Sequence, residues 1–152
     1  MAVVAKWYGL AIRDQWGGPT GATVPVNWIT DANIKVALTT AAYAYNQDTD
    51  EFYSVVTNEL ATAGGYTSGG VVLGTKTCTY DTASNESRLG AANASWASAT
   101  FTCQVAVIYK YTGTTTTSPL QGFVDMGAAQ SVSSGTFTIQ WDATGVLKGT
   151  AA

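Results

Sequence analysis

There is no histidine among the 152 residues, and only seven Lys plus Arg and ten Asp plus Glu. Imidazole is the one side chain whose ordinary pKa lies near neutrality, so acid–base and metal chemistry lose their commonest agent. Twenty-four Thr and ten Ser are present, but a hydroxyl nucleophile needs a base beside it. Five lysines remain as bases, and no motif pairs one with a serine. Basic clusters are also missing. A net charge of -3 and a pI near 4.6 oppose the phosphate contacts on which nonspecific nucleic-acid binding depends.

Other scarcities narrow the class further. No window approaches the roughly 20 apolar residues of a membrane-spanning helix. The start, Met1-Ala2-Val3-Val4-Ala5-Lys6, lacks the basic leader and apolar run of a secretory signal, so synthesis without export is expected. Two cysteines, neither in a CxxC pair, are too few for a disulfide framework. Cys78 and Cys103 both fall on the apolar phase of predicted strands. The expectation is two buried free thiols, with a disulfide between them as the alternative.

What is there suits sheets and turns: 46% hydrophobic residues, eight Tyr, five Trp, four Phe and sixteen Gly beside the threonines. The length fits one full core. Residues 1–30 read as an extended N-terminal arm, because Trp16-Gly17-Gly18-Pro19-Thr20-Gly21 and Val24-Pro25-Val26 continue neither a helix nor a central strand. Residues 31–152 read as a β-sandwich domain. Ile34, Val36 and Leu38 alternate cleanly and predict the first strand. Asn46 to Leu60 predicts one short helix, with Asp48 or Thr49 as cap, acids in the first turn, and Phe52, Val55, Val56 and Leu60 at near-helical spacing. From Lys76 onward the period is two. Phe101, Cys103, Val105, Val107 and Tyr109 share a phase that predicts a long central strand facing one core, with Gln104 on the other side. Leu120–Met126 and Phe137–Trp141 predict two more strands separated by a turn-rich stretch, and Val146-Leu147 a short last one. The fold expected is all-β, an antiparallel β-sandwich of about seven or eight strands with one short inserted helix.

Candidate chemical sites are few. Asn46, Asp48 and Asp50 imitate the opening of a calcium loop, but Glu51 stands where glycine is required and Thr57 where the bidentate acid belongs. A helix cap with solvated acids is the simpler reading. Asp125 and Asp142 read as strand-end surface groups, the alternative being a carboxylate pair for glycoside hydrolysis. Gly64-Gly65-Tyr66-Thr67-Ser68-Gly69-Gly70 matches no phosphate-binding pattern and reads as a tight turn. Asn85-Glu86-Ser87 and Asn93-Ala94-Ser95 match the glycosylation triplet but need a secretory route. Catalytic, metal and cofactor residues are therefore expected to be absent. The aromatics Trp7, Tyr8, Trp16 and Trp28, grouped among glycines and prolines, are the candidate protein interface, against the alternative that each seals the local core.

Glu59-Leu60 with Gly65-Tyr66-Thr67-Ser68-Gly69-Gly70, Tyr109-Lys110-Tyr111, and Trp141-Asp142-Ala143-Thr144-Gly145 mark an order of elements that resembles small virion structural proteins of tailed bacteriophages. The resemblance runs from about Ile34 to Leu147 and carries no active residue. It implies a non-enzymatic capsid decoration or cement protein, needing no cofactor, bound in many copies to the major capsid protein and to further copies of itself. It also implies assembly in the host bacterial cytoplasm and residence in the virion, with no nucleic-acid or membrane partner. The alternatives are a tail or head–tail connector component, and a carbohydrate-binding module using exposed Trp or Tyr.

Overall fold

A computed structural model describes residues 2–17 and 25–150, leaving out the side chains of 16 and 17. The described chain is a mostly antiparallel β-structure of two sheets with one short helix. It contains β1 (Lys6–Trp7), α1 (Gly9–Gly17), β2 (Ile34–Thr39), β3 (Val71–Val72), β4 (Thr77–Asp81), β5 (Glu86–Gly90), β6 (Ala94–Lys110), β7 (Leu120–Ile139) and β8 (Leu147–Thr150). The larger sheet has the order β1-β7-β6-β2-β3 and the smaller β4-β5-β8.

The main core lies between the two sheets. Ile34, Val36 and Leu38 of β2 enter it together, as their alternation requires, and meet Leu147 and Leu89 of the smaller sheet and the indoles of Trp28, Trp96 and Trp141. The opposite face of β2, β6 and β7 is covered by a second, tyrosine-rich cluster. Tyr8 and Ala11 from α1 and its approach, with Tyr43 and Tyr53 from the long connection after β2, pack there on Val105, Val107, Tyr109, Leu120 and Phe123. Tyr53 stacks on Tyr109 with ring centroids 3.9 Å apart and planes at 17°, a pair worth about 1 kcal/mol beyond its buried area.

β6 explains why one phase was expected and two are found. Its register against β7 slips between Trp96 and Ala99 and again between Cys103 and Val105. Each slip shifts which residues face the core, because side chains alternate with period two and an unpaired residue resets the alternation. Phe101 and Cys103 accordingly join the main core with Ala106 and Ile108, while Val105, Val107 and Tyr109 enter the tyrosine cluster. The single face expected for Phe101 to Tyr109 is thus corrected. Gln104, expected on the other side, is half-buried at the slip. The two strands expected from 120 to 141 are one bulged strand, β7, in which Asp125 and Gln130 pair with Val105 and Cys103.

The helix is also displaced from its expected place. Asn46 and Asp50, expected near a helix start, close an irregular turn instead: the Asn46 side-chain oxygen accepts the Asp48 and Thr49 amides, and Asp50 accepts the Asn46 amide and the Tyr43 hydroxyl. Short polar side chains that bond their own backbone compete with a helix. Phe52 then bridges Pro119, and only a single turn of 3-10 helix, Tyr53–Val55, forms.

The extended-arm expectation for residues 1–30 gives way where the chain is described. Lys6 and Trp7 pair with Phe123 and Gly122, and Val3 bridges Trp141 in parallel. The N-terminal segment therefore joins the start of β7 to the chain just beyond its end. α1 is tied down by Arg13, which meets Glu51 at 2.7 Å, and by Gln15, which donates to Gln121. The Gly/Pro residues 18–24 lie outside the described residues.

Candidate protein interface

The four aromatics expected at an interface do not form one surface. Tyr8 is 0% exposed and Trp28 5%. Tyr8 packs on Phe123 with centroids 5.0 Å apart and shares a hydrogen bond of 3.0 Å with the Tyr43 hydroxyl, while the Trp28 indole donates to the Gly90 carbonyl. Trp7 is half-buried and donates to the Lys148 carbonyl at 2.8 Å. An indole N–H needs a partner once buried, and these carbonyls supply it from within the fold. Trp16 lies in α1, and its side chain is outside the described residues. Tyr8 and Trp28 are thus core residues of the chain itself, a correction to their reading as interface anchors.

The residues that carry the phage-protein resemblance serve the packing. The Glu59 carboxylate accepts the Tyr66 hydroxyl at 2.7 Å and the Gly69 amide, and Tyr66 in turn accepts the Leu38 amide of β2. Tyr109 donates to the Gly69 carbonyl, and Lys35 sits 4.7 Å from the Tyr111 ring centroid. Residues 59–70 are thereby clamped onto β2 and β6. Asp142 accepts both the amide and hydroxyl of Thr144, which lower its pKa, and holds the turn from Trp141 to Gly145. The Tyr53 hydroxyl is buried with no hydrogen-bond partner among the described residues.

Asp125 and Asp142 line different cavities, of about 250 and 420 Å³, and are not brought together. Asp125 is held by its own surroundings. The Gly127 amide, then the Tyr45 hydroxyl and Gln104, bond its carboxylate and keep its pKa below the ordinary value. Among the described residues no three His, Cys, Asp or Glu side chains gather as metal ligands. Cys103 is buried, and burial pushes its thiol up to about 12. Cys78 is exposed, correcting the expectation that both thiols are buried.

The surface that stands out lies on the part of the β6–β7 hairpin farthest from its loop. Trp96, Phe137, Phe101 and Val132 point to the main core. Their neighbours Ser95, Thr100, Thr102, Ser131, Thr136 and Thr138 are exposed on the other side. Cross-strand hydroxyls meet there, Ser95 with Thr138 and Thr102 with Ser131, each at 2.8 Å. No charged residue occurs from Leu89 to Tyr109 or from Met126 to Trp141. The result is an uncharged ladder of short polar side chains, which loses little rotamer freedom on contact and requires no charge to be desolvated. Its signal in the sequence was these two charge-free runs, rather than the tryptophans. Comparison of the chain with protein-family models, curated proteins and solved structures returned no match.

Proposed function

We propose that this chain is a non-enzymatic structural protein of a tailed-bacteriophage virion, a capsid decoration or cement protein bound in many copies to the major capsid protein. The observation that carries the reading is the uncharged hydroxyl ladder on β6 and β7. Depletion of charge is the compositional mark of an interface centre. The ladder offers no aromatic anchor, so one copy binds weakly and a shell of repeated sites supplies the strength through avidity. The carbohydrate-binding alternative draws no support from Trp28, Trp96 or Trp141, whose indoles are buried.

The test is to purify shells lacking the protein, add it back, and measure occupancy and location by electron microscopy. Thr102→Lys with Thr138→Glu, both at exposed positions, is expected to leave the circular-dichroism spectrum unchanged and to reduce occupancy. Copies ranged along the tail axis, or full occupancy by the double variant, would overturn the proposal. Removing residues 1–20 cannot serve as the test, because Val3, Lys6, Trp7 and Tyr8 hold β7 and the second core.

A further inference from the structure

An exposed strand edge presents unpaired N–H and C=O groups, and folds blunt such edges with short strands, bulges, prolines or lysines. The larger sheet follows that rule. Its edge strands β1 and β3 are two residues each, and the parts of β7 beyond β1 and of β6 beyond β2 are interrupted by register slips. β4 breaks it. Thr77–Asp81 pairs with β5 in unbroken register for five residues, carries no Pro or Lys, and has no strand on its other side among the described residues.

The core-facing side of β4 is uncovered as well. Cys78 is opposite Leu89, which is opposite Leu147, and directly opposed residues share a face. Cys78 and Tyr80 therefore point to the side on which Leu147 is fully buried. Yet Cys78 is exposed and Tyr80 is 54% exposed. β4 overhangs the core, leaving apolar area in water along with its backbone.

We propose that β4 pairs antiparallel with β4 of a second copy of this chain, about a two-fold axis through Thr79 normal to the sheet. Such an axis preserves faces, so residues whose numbers sum to twice 79 stand opposite. Cys78 meets Tyr80 twice on the core-facing side, a favourable sulfur–aromatic contact. On the outer side Thr77 meets Asp81 twice, hydroxyl to carboxylate, and Thr79 meets itself. Every residue of β4 gains a partner and no like charges are opposed. The ends agree: Lys76 precedes the strand and Asp81 closes it, so an antiparallel mate sets each Asp81 one position from the other copy's Lys76, where a parallel mate would stack like on like. The product is a closed, isologous contact that continues the small sheet into six strands. It is small, hence weak in dilute solution and strengthened by high local concentration. It does not depend on the virion reading.

The experiment uses the full chain at millimolar concentration. A Cys78→Ser, Thr79→Cys double variant, exposed to mild oxidant, is expected to form a disulfide-linked dimer. It should do so about ten-fold faster than Cys78→Ser with Gly149→Cys on the opposite edge of the same sheet. Thr79→Lys, at an exposed position, places like charges on the axis and is expected to stay monomeric in sedimentation with an unchanged circular-dichroism spectrum, while the wild type dimerises. Equal or slower crosslinking at position 79, a wild type that stays monomeric, or a Thr79→Lys variant that dimerises as the wild type does would each overturn the proposal.

Discussion

Gly70→Ala tests how closely residues 59–73 are docked on β2. Gly70 has φ +70° and leads into β3; an alanine Cβ there would overlap the Val36 carbonyl oxygen and lie 2.5 Å from its carbon and 2.7 Å from Ala37 Cα. Real Cβ atoms essentially never come closer than 3.0 Å, so the carbonyl carbon alone must retreat by 0.5 Å (3.0 minus 2.5), and the oxygen further. β2 cannot follow, because β6 holds it across six residue pairs. The docked segment must yield instead, loosening Leu73 N–H on the Ile34 carbonyl, Leu60 N–H on the Leu38 carbonyl and Leu38 N–H on the Tyr66 hydroxyl. It would also uncover Tyr66 and Leu73, now 2% and 1% exposed. A left-handed alanine costs about 1–2 kcal/mol by itself, and the lost packing raises the total to about 3–5 kcal/mol. Gly127→Ala isolates the first contribution, since Gly127 has φ +73° and no neighbour within 4 Å of an added Cβ; about 1–2 kcal/mol is expected. Equilibrium urea unfolding measures both. A Gly70→Ala loss within about 0.5 kcal/mol of that for Gly127→Ala would refute the close-approach argument.

Stability should fall on the alkaline side. Burial, first among the causes, raises the pKa of Tyr8, Tyr53, Tyr66 and Tyr109 well above the ordinary 10 and that of Tyr43 to about 12. The folded state then holds protons that the unfolded chain releases above pH 10, so their stabilisation is complete below about pH 10 and is lost as pH rises toward 12 and beyond. Tyrosinate absorbance and circular dichroism followed together should change cooperatively; noncooperative titration of all eight tyrosines near pH 10 with the fold intact would contradict the buried cluster. Thiol titration with an aromatic disulfide should find one reactive cysteine in the native protein, Cys78, and two in denaturant, since Cys103 is buried and its thiol is pushed up to about 12. Two native equivalents would contradict the placement of Cys103.

The antiparallel sandwich was legible in the sequence because alternation is local: Ile34, Val36 and Leu38 must share a face wherever the strand is unbroken, and between the slips of β6 so do Phe101 and Cys103, and Val105, Val107 and Tyr109. The poverty in titratable groups was likewise a property of composition alone. Tertiary structure decided what local rules leave degenerate. The unpaired residues near Ser98 and Gln104 reset the phase of β6, and nothing within the strand marks them, because a bulge is defined by the partner strand. Asn46 and Asp50 satisfy a turn as readily as a helix start, and packing of Tyr53 on Tyr109 favoured the turn. Trp28 and Tyr8 went inside because the Gly90 carbonyl and the Tyr43 hydroxyl, distant in sequence, satisfy their polar atoms, while Cys78 stayed outside because β4 extends past the core that its alternation points toward. A side chain's phase is written in its neighbours along the chain; whether anything lies opposite it depends on residues far away, and only the folded molecule brings those together.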